Sequence, residues 1–158
     1  MPHQAQFGNR DILSEIFELS RLVTTAKTTK GILPQFLSIV REILIFDNIV
    51  IYLQKDDQLT PFFARALGRG RSNEADIAWG MEVASQIFQR GETVAKKEEL
   101  EGAKKDRLFL RYYLGIPLKV ETKKMGVIVF IRFGGPEYDI TQIRLAEFLT
   151  EQISHLIE

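Results

Sequence analysis

Site chemistry needs a nucleophile, an acid–base pair, a metal-ligand cluster or a cradle for charge, and this chain of 158 residues offers few of them. It has no cysteine, which removes thiolate ligands, cysteine nucleophiles and disulfides together. The two histidines, His3 and His155, stand near opposite ends without a spaced partner, so neither a metal centre nor haem ligation is expected. Ser14, Ser20, Ser38, Ser85 and Ser154 fall in helical patterns, and no G-x-S-x-G elbow presents any of them. Glu98 and Glu99 are neighbours in a charged stretch, which does not build an acid–base pair. Gly68-x-Gly70 lacks the third glycine of a dinucleotide loop. The expectation is a domain with no catalysis and no cofactor. One pair of side chains stands out. Arg69 and Arg71 precede a helix whose free amides and dipole favour anions, and together they could hold a carboxylate or phosphate. The competing reading is two solvated loop arginines, and Asp76 at the helix start speaks for it by occupying the cap.

Charge narrows the partners. Lysine plus arginine equals aspartate plus glutamate, 21 of each, whereas a dedicated nucleic-acid binder usually carries a basic excess. Lys96-Lys97 and Lys104-Lys105 are interleaved with Glu98, Glu99, Glu101 and Asp106, which reads as a solvated mixed-charge loop. No apolar run approaches the ~20 residues that span a bilayer. Met1 to Arg10 lacks the basic-then-apolar pattern of a signal peptide. A cytoplasmic domain with no nucleic acid and no direct membrane contact is therefore expected. Its 45% apolar content suits one globular domain, 11–158, behind a flexible start over 1–10.

The elements that would position any site follow from periodicity. Ile12, Ile16, Leu19, Val23 and Ala26 alternate by four and three, the repeat of a helix packing along a narrow seam. Leu33, Phe36, Leu37, Val40 and Ile43 mark a second helix, with Pro34 tolerable only near its start. Ile49 to Leu53 is β-branched and aromatic on both faces, as in a covered central strand. A polar turn over Lys55-Asp56-Asp57-Gln58 leads into a returning strand, Leu59 to Leu67. Asp76 opens a third helix, with Ile77, Met81, Ala84, Ile87 and Phe88 on one face and Gly91 as its stop. Thr93 to Ala95 is a short strand, Lys96 to Arg107 a loop or frayed helix. Leu114 to Val120 and Met125 to Phe133 form a second hairpin. Asp139 with Gln142 has the capping-box spacing before a last helix striped by Ala146, Leu149, Ile153 and Leu156. Strands that cluster in antiparallel pairs predict an α+β fold with a central antiparallel sheet.

The order and four segments together resemble the GAF family, over nearly all the chain from about Ile12 to Ile157. Phe46-Asp47-Asn48-Ile49-Val50-Ile51-Tyr52 is similar to the family's opening strand after its second helix. Asp76-Ile77-Ala78-Trp79-Gly80 through Val83, then Arg90-Gly91-Glu92-Thr93-Val94, resembles its middle helix, glycine and short strand. Gly115-Ile116-Pro117-Leu118 and Met125-Gly126-Val127-Ile128-Val129-Phe130 resemble its strand pair. Tyr138-Asp139, Leu145-Ala146 and Gln152-Ile153 resemble its closing helix.

The resemblance implies a profilin-like GAF fold. In it a central six-stranded antiparallel sheet carries terminal helices on one face, and a helix and loop cover a small-molecule pocket on the other. It places Val50 and Tyr52 on the ligand side, and Ile77 and Trp79 on the covering helix. Phe109, Tyr112 and Tyr113 fall where family members close the pocket, and Phe130 reaches in from the fifth strand. The alternative is that these aromatics simply fill the core. The family's cysteine-dependent chemistries, bilin attachment and methionine sulfoxide reduction, are excluded in their known forms by the absence of cysteine. The Asn-Lys-Phe-Asp-Glu signature of cyclic-nucleotide binders has no place on this chain.

The resemblance also implies a sensory, signal-transmitting domain of a larger protein such as a sensor histidine kinase or diguanylate cyclase, sensing an unnamed small molecule. The alternative is a ligand-free module for dimerisation and transmission. Under either reading the four-three stripes predict a homodimer through Ile12, Ile16, Leu19 and Val23 with Leu149, Ile153 and Leu156.

Overall fold

A computed structural model of the chain describes residues 29–66, 73–99 and 110–157. Its elements run α1 (Thr29–Ile43), β1 (Asn48–Lys55), β2 (Gln58–Ala66), α2 (Asn73–Arg90), β3 (Val94–Glu99), β4 (Leu110–Val120), β5 (Lys123–Phe133) and α3 (Ile140–Ile157). The strands form one sheet in the order β2-β1-β5-β4-β3, every neighbouring pair antiparallel. Among the described residues the sheet therefore has five strands where six are expected. The helix expected over Ile12 to Ala26, with its stripe, lies outside the described residues.

Local chemistry explains most of the boundaries. The first hairpin turns at Asp56 and Asp57, both at positive φ, 51° and 64°. That pair gives the turn whose twist matches the flanking strands, and aspartate tolerates the conformation. β3 continues through Lys96 to Glu99, residues whose charge reads as loop. As an edge strand it needs only one satisfied side, and charge there discourages pairing with foreign strands. β4 begins at Leu110, four residues before the apolar run suggests. Pro34 sits in the second turn of α1, so the bond it would donate to the carbonyl four residues back is absent.

Strand alternation divides the core into two clusters. Ile49 and Ile51 of β1, Leu114 and Ile116 of β4, and Ile128 and Phe130 of β5 pack with Leu33, Phe36, Leu37 and Val40 of α1 and Ala146, Leu149 and Ile153 of α3. The intervening residues, Val50, Tyr52, Tyr113, Val127, Val129 and Ile131, pack with Val83, Ala84 and Ile87 of α2. Gly115 admits α2: a Cβ built there would stand 1.8 Å from Ile87 Cδ1.

Both ends of the helical layer are tied down. Gly91, at φ +70°, ends α2 with its amide donating to Ile87 O at 2.7 Å. Lys124 Nζ donates to Phe88 O at 2.8 Å and Lys119 Nζ to Gly91 O at 2.5 Å. The β4–β5 hairpin thus places two cations at the negative end of the helix. At α3 the capping box is complete. Asp139 N donates to Gln142 Oε1 at 2.9 Å, and Gln142 N donates to Asp139 Oδ1 at 2.8 Å. Replacing Asp139 with alanine is expected to destabilise the domain by about 1 kcal/mol, the usual worth of such a cap. Chemical denaturation monitored by circular dichroism would read it, and Asp139→Asn, which keeps the capping oxygen, should recover most of the loss.

Candidate functional site

The α2 side of the sheet carries polar side chains where an apolar floor would be simplest. Asn48 opens β1 in register with Ile131 on β5 and Ala66 on β2. Alternation puts it on the face of Val50 and Tyr52. It is 1% exposed, and among the described residues neither Nδ2 nor Oδ1 has a hydrogen-bond partner. A buried amide left without partners costs about 1–3 kcal/mol per group, so a native protein keeps one only for a reason.

On the same face, two strands away across β5, stand Tyr113 and Arg111, two steps apart on β4. Arg111 is 1% exposed. Its Nη1 donates to the Tyr113 hydroxyl at 3.2 Å, and its Nη2 lies 3.5 Å from Glu98 Oε1 on the neighbouring edge strand. Glu98 is the register partner of Arg111 across β3 and β4, so the ion pair is built into the ladder. Tyr52 completes the row. Burial, and then the neighbouring Tyr113 phenol, push its pKa above the ordinary tyrosine value, so it stays a neutral donor at physiological pH. Asn48, Tyr113, Arg111, Glu98 and Tyr52 thus line one side of the sheet with donors and acceptors of both kinds.

The opposite side holds buried polar groups too, with Arg132 Nε and the Tyr138 hydroxyl lacking hydrogen-bond partners among the described residues. Asp47 Oδ2 accepts from Phe133 N at 2.7 Å, and Asp47 N donates to Ile131 O at 2.8 Å, locking the start of β1 to the end of β5. An open groove of about 600 Å³ is lined in part by Ile116 and Pro117 of β4 and Glu147, Thr150 and Ser154 of α3. Thr150 and Ser154 donate to the carbonyls of Ala146 and Thr150, so their hydroxyl hydrogens are already committed inside the helix. Among the described residues no cluster of three or more His, Cys, Asp or Glu is placed to hold a metal.

A family model for the GAF domain matches residues 26–158. The chain belongs to the GAF domain family. Solved structures agree on the fold. A GAF domain from a phosphoenolpyruvate-protein phosphotransferase of Coxiella burnetii has a TM-score of 0.67 at 16% identity, with 94% of this chain and 93% of that one covered. The GAF domain of a two-component sensor histidine kinase from Bacillus halodurans has a TM-score of 0.56 at 17% identity, covering 84% and 95%. The free methionine-R-sulfoxide reductase of Neisseria meningitidis, solved with its substrate, has a TM-score of 0.61 at 15% identity, covering 88% and 84%. A comparison with curated proteins finds no match.

Within this GAF domain the expected pocket residues separate. Val50 and Tyr52 lie on the α2 side, but both are fully packed into its apolar cluster. Tyr112 and Phe130, expected with them, lie on the other side, in the cluster with α1 and α3. Phe130 packs against Phe46 with ring centroids 5.3 Å apart, and Tyr112 lies under Gly135. Tyr113, expected there together with Tyr112, lies on the α2 side. Ile77 and Trp79 fall within α2 with side chains outside the described residues, as do Phe109, Arg69 and Arg71 altogether.

Two residues of the expected dimer stripe fall among the described side chains. Leu149 and Ile153 are completely buried against the sheet within one chain, and so are unavailable to a partner. A three-four alternation reads the same for a helix on a sheet as for a helix on a helix. Ile12, Ile16, Leu19, Val23 and the Leu156 side chain lie outside the described residues.

Sequence reasoning passed over Asn48 and Arg111. The signal for Arg111 was present: once Tyr113 and Gly115 face α2, period two carries Arg111 to the same side.

Proposed function

We propose that this GAF domain is a small-molecule-sensing, signal-transmitting module of a larger cytoplasmic signalling protein, such as a sensor histidine kinase or diguanylate cyclase, and that it does no chemistry itself. The observation that carries the reading is Asn48, a buried carboxamide with neither hydrogen-bonding group satisfied among the described residues, on the same α2-covered face as Arg111 and Tyr113 two strands away. A side chain kept at that cost is what a ligand site provides. The presence of the same fold in a two-component sensor histidine kinase supports the signalling context.

Transmission would use the sheet. Tyr113 and Gly115 face α2, while Leu114 and Ile116 of the same strand pack in the cluster that holds α3. A ligand that prefers one position of β4 would bias the seat of α3, as any such coupling requires. The outward side of α3 presents Ile140 and Phe148, 63% and 37% exposed, and through it the domain would pair with a second copy. Sedimentation equilibrium tests the pairing, and a monomer at high micromolar concentration would count against it.

The second reading is a ligand-free transmission module, favoured by the complete burial of Val50 and Tyr52. Thermal-shift screening of the purified chain against purines, pyrimidines, amino acids, organic acids and aromatics separates the two. The sensory reading expects at least one compound to raise the melting temperature in a saturable way. No response from any class would leave the ligand-free reading standing.

A further inference from the structure

Resting on the sensory reading, we propose that Asn48 sets the specificity of the site, selecting a neutral small molecule that presents a cis-amide edge, an N–H beside a C=O, as in a lactam ring or a primary carboxamide. The argument begins with what Asn48 lacks. Its Nδ2 and Oδ1 are both buried and both without partners. They lie in one plane at the end of the side chain, a donor next to an acceptor. Its register partners on the flanking strands, Ile131 and Ala66, bring only apolar side chains.

A molecule that satisfies both groups at once must offer an acceptor next to a donor on a single edge. A lactam does so, because its ring holds N–H and C=O on the same side, and a primary carboxamide does the same. An open-chain secondary amide is trans, with the two groups pointing apart. A carboxylate has acceptors only. It would satisfy Nδ2 and leave Oδ1 facing negative charge.

Local charge points the same way. Among the described residues the buried cation on this face is Arg111, two strands away, and it already faces Glu98 at 3.5 Å and donates to Tyr113 at 3.2 Å. With cation and carboxylate paired, the surroundings are balanced, and a neutral guest disturbs them least. Tyr113 is the register partner of Ile131, so its phenol stands one strand beyond the row holding Asn48.

The test uses the full chain, wild type and Asn48→Leu, with four probes in matched pairs. Uracil carries the lactam edge, and 1,3-dimethyluracil has it blocked. L-Glutamine carries a primary carboxamide, and L-glutamate replaces it with a carboxylate. Calorimetry and thermal shift read binding. Uracil or glutamine is expected to bind wild type at least about tenfold more tightly than its counterpart, the discrimination that one mismatched buried hydrogen bond supplies. Asn48→Leu is expected to lose that binding while melting, without ligand, no lower than wild type, since leucine leaves no polar group unsatisfied.

Equal binding of the blocked probe, or full binding by Asn48→Leu, overturns the proposal. So does an unliganded Asn48→Leu that melts several degrees below wild type, because Asn48 would then be holding structure, for instance through a trapped water. Should both amide probes fail while other compounds of the wider screen bind, the specificity falls and the sensory reading stands. If nothing binds, both fall.

Discussion

Gly126→Ala is expected to lower the folding free energy by about 3 kcal/mol or more, at the upper end of what overpacking costs. Gly126 lies on β5 between Leu53 of β1 and Leu118 of β4, at the middle of the sheet. A Cβ built on it would stand 1.9 Å from the Tyr52 backbone oxygen and 3.0 Å from Leu53 Cα. Both neighbours are main chain, held by the ladder, so relief requires the strands to part. Gly115 is a useful control. Its added Cβ would meet Ile87 Cδ1, the end of a side chain that can change rotamer. Gly115→Ala should therefore cost less, about 1–2 kcal/mol. Urea denaturation of both variants checks the order. A Gly126→Ala protein within about 0.5 kcal/mol of wild type, the range of an ordinary surface change, would contradict this account of the sheet centre.

Leu149→Ala is expected to destabilise by about 2–5 kcal/mol, the range for emptying a buried leucine site. The side chain has no exposure and packs among α1, α3 and the sheet. The same substitution decides what the α3 stripe is for. A leucine in an interface between copies would leave the folded monomer intact and shift only the association equilibrium. A leucine in the core melts the chain at every protein concentration. The expected result is a fall in melting temperature independent of concentration. Phe148→Ala, on the outward side at 37% exposure, should stay much closer to wild type in stability. A Leu149→Ala chain that keeps its unfolding midpoint but sediments as a smaller species would reverse the assignment.

Much of this fold is written in local signals. The 139/142 capping box, the glycine ending α2 and the aspartate turn each act over a few residues, and each appears as the pattern implies. The faces of the sheet were harder to read. Val127 to Ile131 is apolar at every position, so period two names two faces without saying which meets α2, and only the fold puts Phe130 on the side of α1 and α3. Tyr112 and Tyr113 are adjacent and chemically alike, and only the register of β4 separates them. Starting that strand at Leu114 cut off Arg111 to Tyr113, and with them much of the polar row. Arg111 could not be paired with Glu98 from sequence, because the partners meet only after β3, an edge strand made largely of charged residues, takes its place in the sheet. Asn48 follows Asp47 at the head of an apolar run, where a polar residue reads as the end of a loop, and its lack of partners among the described residues is a property of the folded surroundings.

The strand order has a bearing on how the chain is made. β1 with β2, and β4 with β5, are hairpins closed by neighbours, but β1 is joined to β5 through Asn48 opposite Ile131, about eighty residues apart. Closing a loop of that size costs entropy that only the finished seam repays. On the ribosome, β1 emerges with its second edge bare and apolar side chains on both faces, and it stays so until β5 has been synthesised. The half-built domain is thus the species most exposed to misassociation, and a pause in translation between the two hairpins would lengthen that exposure.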